Sequence, residues 1–140
     1  MANNQYVVSE IDGEKYCIEI SKVKEIKRPK EITINELPNT PYSIDGIINL
    51  RGDVVPILNL RKKFKLEASK ISKETRIIIA MVDSVLVGLL VDKIYTVDWI
   101  NTSKLSEPLE MMKIDSHYIS EIGSKDEDLF FVFDLEKLIS

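Results

Sequence analysis

Apolar and polar positions alternate every second residue along most of this chain, the spacing of half-buried β-strands rather than helices. Gln5–Ile11 (QYVVSEI) and Glu14–Ile20 (EKYCIEI) flank Asp12-Gly13, a dipeptide suited to a two-residue hairpin turn. In the second run Tyr16, Ile18 and Ile20 share one face, and Cys17 and Glu19 the other. Ile44–Leu50 and Val54–Leu60 form another pair, joined by Arg51-Gly52-Asp53, with Pro56 interrupting the second run. Arg76–Val82 and Val85–Val91 pair around Asp83-Ser84. Their continuous apolar character predicts burial on both faces, or apolar positions left for a partner. Lys93–Trp99 alternates Ile94, Thr96 and Asp98 against Tyr95, Val97 and Trp99, and Leu129–Phe133 reads as an aromatic strand.

Helical signals are short. Ser21–Ile26 fits one helical turn with Ser21 as N-cap, a second turn falls near Asp115–Tyr118, and Asp134 caps a final helix over Leu135–Ile139. Pro29, Pro38 and Pro41 make Lys27–Ser43 an irregular loop, and Asn101–Ser124 is looser than the strands around it. About nine or ten short strands with few helices predict an all-β barrel or sandwich. Met1–Lys65 and Leu66–Ser140 each hold several strands, without a clear internal repeat.

At 140 residues the chain fits one domain or two small interlocked lobes, and 44% hydrophobic residues suffice for a core. The net charge of −4 argues against a general nucleic-acid binder. One cysteine, Cys17, allows no internal disulfide, which agrees with a reducing compartment. Met1–Glu10 lacks a basic stretch followed by an apolar one, so no signal peptide is expected. The longest apolar runs, Ile77–Val82 and Val85–Val91, are far short of the roughly 18–20 residues that span a bilayer. The expectation is a cytoplasmic protein that reaches a membrane only through a partner.

Catalytic chemistry finds little support. His117 is the only histidine and lies in a polar loop; Cys17 sits mid-strand among apolar residues, where a small buried hydrophobe is the simplest reading. There is no Gly-rich phosphate loop, GxSxG or CxxC, and Asp126 and Asp128 belong to a charged turn. No catalytic residue, metal ligand or cofactor site is assigned. Arg51-Gly52-Asp53 matches an integrin-type tripeptide, a chance match in a chain without a secretion signal; Gly52 instead serves the tight connection. Arg51, beside apolar strands, needs an anionic or carbonyl partner, and Glu25 is a candidate. Two basic clusters stand out, Lys22, Lys24, Lys27, Arg28 and Lys30, then Arg61, Lys62, Lys63 and Lys65. A solvated face is their first reading and a patch for an acidic protein surface the second. Nucleic acid comes last, because no aromatic residues are interleaved for stacking.

Asn39 to Phe64 is the most informative segment. Asn39-Thr40-Pro41, Gly46, Asn49-Leu50-Arg51-Gly52, Val55-Pro56-Ile57 and Leu60-Arg61, in this order, resemble the CheW-like family of chemotaxis coupling proteins. Tyr16–Ile20 with Val23–Ile26, and Val87–Asp92, resemble flanking family strands, so the likeness runs from about Tyr6 to Leu138. Asp53 departs from it, standing where an apolar residue is common, and Pro38 adds stiffness before Asn39.

The resemblance implies an all-β fold of two intertwined, five-stranded SH3-like barrels with short helical turns and a groove between them. The expected division is a single domain over 1–140, its approximate lobes being 14–65 and 70–140 plus the N-terminal strand. It implies a non-enzymatic adaptor between the cytoplasmic tip of methyl-accepting chemoreceptors and the regulatory domain of a CheA-type histidine kinase, recruited to the inner face of the membrane through the receptors. Residues matching Val23 and Val97 line the family's receptor-binding groove, and Ile26, on the same short turn as Val23, joins them as a candidate. Glu25, Asn49, Leu50 and Arg51 are assigned to kinase binding or coupling. Alternatives are the same domain within a longer kinase or a receiver-fused adaptor and, from a different class, a small β-barrel nucleic-acid module.

Overall fold

The computed structural model describes residues 2–68, 70–109 and 111–140. Among the described residues ten strands are present: β1 (Ala2–Ile11), β2 (Glu14–Glu19), β3 (Val23–Lys27), β4 (Ile44–Leu50), β5 (Asp53–Asn59), β6 (Arg76–Val82), β7 (Val85–Val91), β8 (Lys93–Lys104), β9 (Ile119–Lys125) and β10 (Asp128–Phe133). Two short α-helices, α1 (Leu60–Lys63) and α2 (Leu135–Ile139), join single 3-10 turns at Ile20–Lys22, Pro29–Glu31 and Ser116–Tyr118. The all-β expectation with short helical turns holds.

Four hairpins are closed by two-residue loops with both central residues at positive φ: Asp12-Gly13, Arg51-Gly52, Asp83-Ser84 and Asp126-Glu127. This turn geometry matches the right-handed twist of the flanking strands, which fixes the register of each pair. Pro56 is accommodated by the same logic. Ile47, its cross-strand partner, exchanges both backbone hydrogen bonds with Asn35 on the other side, at 2.8 and 2.9 Å. Position 56 therefore owes β4 no donor. Gly46 is fixed by that same approach, because a Cβ there would collide with the Asn35 carbonyl.

The strands form a closed barrel in the order β1-β2-β10-β9-β8 and a second five-stranded sheet in the order β3-β6-β7-β5-β4. A short parallel pairing, β10 with β2 and β5 with β7, completes each unit. This pairing divides the chain differently from the approximate sequence lobes. Glu14–Glu19 lies in the closed barrel, whereas Arg76–Val91 lies in the sheet that holds the Ile44–Asn59 hairpin. The whole β3–β7 unit is thus inserted between β2 and β8 of the barrel.

Three apolar clusters follow. Tyr6, Val8, Cys17, Ile100, Phe130 and Val132 fill the barrel. Ile48, Leu50, Val55, Ile57, Ile77 and Ile79 fill the inner side of the second sheet, with Ile32 and Ile34 of the proline-rich loop packed over them. The largest cluster joins the two units. It brings Val7, Tyr16 and Phe131 of the barrel against Leu58, Ile78, Ala80 and Leu89 of the second sheet. β6 shows why its sequence is apolar throughout: Ile77 and Ile79 face one cluster, Ile78 and Ala80 the other.

Two local expectations are corrected. Ser21–Ile26 is not a helical turn: the 3-10 turn starts at Ile20, lacks a side-chain cap, and Val23 already enters β3. Asn101–Ser124 is more ordered than its composition suggests, since β8 continues to Lys104 and β9 starts at Ile119. The Asp134 cap forms as expected, accepting from the Lys137 amide at 3.2 Å, and the turn at Ser116–Tyr118 is capped by Asp115, which accepts from the His117 amide at 2.8 Å.

Candidate partner-binding faces

Directly opposed residues of an antiparallel pair project to the same side of the sheet. Val97 of β8 opposes Val7, Val23 of β3 opposes Ala80, and Ile26 opposes Ile78. Val7, Ala80 and Ile78 all belong to the cluster between the two units. The three apolar residues singled out in the sequence therefore lie on the faces that the barrel and the second sheet turn toward each other. Val23 is partly buried against that cluster, whereas Ile26 is 40% and Val97 42% exposed. Val97 thus marks the open margin of this face on the barrel, and Val23 with Ile26 the margin on the second sheet.

Residues three apart normally face opposite sides of a strand. Here a register irregularity between Val23 and Glu25 brings Val23 and Ile26 onto one face. A second one, between Val8 and Ser9 of β1, does the same on β8, so Ile94 packs on the inter-unit cluster and shares a side with Val97. This corrects the simple alternation of Lys93–Trp99. Tyr95 leaves the Val97 stripe; it donates to Glu10, and the Lys15 ammonium lies 5.0 Å from its ring. Trp99, opposite Gln5 and exposed, extends the stripe. Sequence reasoning had placed Trp99 beside Val97 without giving it a role.

The second group centres on the β4–β5 turn. Arg51 and Gly52 occupy its two central positions with φ of +50° and +91°. Asn49 secures the turn, its side-chain carbonyl accepting from the Gly52 amide at 2.9 Å. Arg51 donates to the Glu25 carboxylate on β3, to which Lys27 also lies 3.2 Å away. The hydrogen bond from Arg51 holds the Glu25 carboxyl below its usual range, and Lys27 adds to the effect. The pair joins β3, at one edge of the sheet, directly to the β4–β5 turn at the other, leaving most of the guanidinium in solvent. Leu50 is buried in the inner cluster of the second sheet, so its side chain packs and only its backbone reaches the turn.

An arrangement that the sequence did not flag holds the two units together. Arg61 on α1 makes a bidentate pair with Asp92, Nε to Oδ1 at 2.9 Å and Nη2 to Oδ2 at 2.7 Å. Asp92 sits between β7 and β8, where the chain re-enters the barrel, and its amide donates to the Glu10 carbonyl of β1 at 3.1 Å. Asp92 Oδ2 also accepts from the Asp12 amide in the β1–β2 turn at 2.8 Å. Burial works against ionisation of Asp92, yet the bonds from Arg61 and Asp12 outweigh it and keep its pKa below the ordinary value. Both residues stood among the family-like motifs, but nothing in their spacing said that they pair.

Other candidates have structural settings. Cys17 is fully buried in the barrel, and desolvation pushes its thiol up to about 12. His117 is exposed and edge-on to Tyr118. Among the described residues no helix is long and apolar enough to cross a membrane.

The comparisons agree with this architecture. A family model described as the CheW-like domain matches residues 5–140. The chain is 30% identical over 137 residues to chemotaxis protein CheW of Klebsiella aerogenes, covering 97% of this chain and 81% of the relative. It is 31% identical over 134 residues to chemotaxis protein CheW of Bacillus subtilis, covering 95% and 85%. The crystal structure of the scaffolding protein TtCheW from Thermoanaerobacter tengcongensis superimposes with a TM-score of 0.87 at 31% identity, over 98% of this chain and 92% of that one. A match over nearly the whole length, in sequence and in fold, means that the chain belongs to the CheW-like family of chemotaxis coupling proteins.

Proposed function

We propose that this protein is a non-enzymatic adaptor that couples the cytoplasmic tip of methyl-accepting chemoreceptors to a CheA-type histidine kinase. The observation that carries the reading is the apolar margin made by half-buried Val23 and exposed Ile26 and Val97, within a chain of this family. An amphipathic receptor helix laid along that margin would bury apolar anchors against it. The Glu25–Arg51 turn, with Asn49 and the Leu50 backbone, is assigned to the kinase. It is polar and braced by hydrogen bonds, and Glu25 turns to the opposite face of β3 from Val23 and Ile26, which suits simultaneous engagement of two partners. The adaptor would be cytoplasmic and would reach the inner face of the membrane through the receptors.

Signal passage would then be geometric. Two faces of one stiff β scaffold keep receptor and kinase in fixed register, and the Arg61–Asp92 pair resists relative movement of the two units. The test is calorimetric titration of the purified protein with a kinase regulatory domain and, separately, with a receptor-tip coiled coil. Saturable binding of both, each lost on mutating its own face only, supports the adaptor. Failure of the folded protein to bind either partner overturns it. Salt-dependent retention of DNA or RNA instead would favour the nucleic-acid module.

A further inference from the structure

One basic cluster of the sequence gains members from a distant segment once the chain folds. Arg28 and Lys30 follow β3, and Lys73 and Arg76 lead into β6, its neighbour in the sheet. Together with Ile71 and Thr75 they line an open cleft of about 630 Å³. Among the described residues its lining includes four cationic side chains and no carboxylate. The acids next to its lining residues in sequence have other partners: Glu31 folds back to accept from the Arg28 amide at 2.8 Å, and Glu74 pairs with Lys93 at 3.3 Å. Arg76 is held in place by bonds from Nη1 to the Lys73 and Thr75 carbonyls, at 2.7 and 2.8 Å. Ile71 is 59% exposed and supplies an apolar contact beside the charges.

A concentration of positive charge in a protein of net charge −4 is unfavourable for the isolated molecule and favourable toward an anion. No aromatic ring lines the cleft, so nucleobases have nothing to stack on. We propose that this cleft docks an acidic protein segment, with Asp or Glu side chains meeting Arg28, Lys30, Lys73 and Arg76 and one aliphatic residue resting on Ile71. None of its lining residues belongs to the groups assigned to receptor and kinase, so it constitutes a third surface, which begins where β3 ends.

Fluorescence anisotropy on the full chain tests it, with fluorescein-labelled Glu-Glu-Leu-Glu-Glu as the probe. The expected result is saturable binding that weakens with added salt and falls about tenfold or more in the Lys30→Glu/Lys73→Glu variant. Both lysines are exposed, so this variant keeps its fold. Lys104→Glu, an exposed site on the barrel, is the charge control and is expected to change the affinity far less. Absence of binding at low salt, equal affinity in the double variant, or an equal loss in Lys104→Glu overturns the proposal. So does equal binding of Glu-Glu-Ser-Glu-Glu, which would identify a general polyanion site.

Discussion

Replacing Arg61 with alanine removes both hydrogen bonds to Asp92 at once and leaves that carboxylate, with 22% of its side-chain surface accessible, held only by the Asp12 amide. Two charge-assisted bonds in a half-buried setting, discounted for solvent access, put the loss at about 3 kcal/mol. For a domain of this size that is on the order of 10 °C in Tm. Urea denaturation followed by circular dichroism measures it directly, and Asp92→Asn with the double variant completes a cycle that isolates the pair. The pH dependence has a definite sign. The carboxyl of Asp92 has a lowered pKa in the folded state, so its contribution is fully present above the ordinary Asp value of about 4 and is lost as pH falls through the folded value. The gap between wild type and Arg61→Ala should therefore be constant near neutrality and close in acid. A loss below about 1 kcal/mol at pH 7, or a gap that widens in acid, would refute the idea that this pair clamps the two units.

Three further outcomes follow from the described faces. Val97→Glu places a charge on a residue that is 42% exposed, so it should abolish receptor-tip binding in a pull-down while leaving the melting curve nearly unchanged; unfolding would make Val97 a core residue instead. Arg51→Ala should weaken calorimetric binding of the kinase regulatory domain and reduce receptor-dependent kinase activation, with little effect on the fold because the guanidinium is largely in solvent; normal activation would remove Arg51 from the kinase face. Cys17, with its thiol raised to about 12, should stay unreactive toward a thiol reagent at pH 8 in the native protein and react fully in denaturant; rapid native labelling would contradict its burial.

Much of the architecture was legible because strand patterning and turn chemistry are local. Asp12-Gly13, Arg51-Gly52 and Asp83-Ser84 were readable as turns, and the strands between them followed. The Glu25–Arg51 pair was also within reach, since an arginine beside apolar strands demands an anion and few were nearby in the pattern. What escaped depends on irregular backbone or on distance. Strand irregularities that put Val23 with Ile26, and Ile94 with Val97, leave no mark in the alternation, because one extra residue inverts it. Ser21 resembled an N-cap, yet the pull of Ala80 and Ile78 on Val23 and Ile26 drew the segment into the sheet. Arg61 and Asp92 were two charges among many, 31 positions apart, and only the fold selects them as partners.

The insertion of the β3–β7 unit between β2 and β8 sets an order of events during synthesis. That unit is contiguous, from Val23 to Val91, so all its strand partners are present once it leaves the ribosome. The barrel cannot close then, because β1 and β2 must wait for β8, β9 and β10. During that interval Leu58, Ile78, Ala80 and Leu89 face water, with no barrel to cover them. A nascent chain at this stage carries a sticky sheet surface and a lone β1–β2 hairpin whose outer edges still lack β8 and β10, a transient client for holdase chaperones.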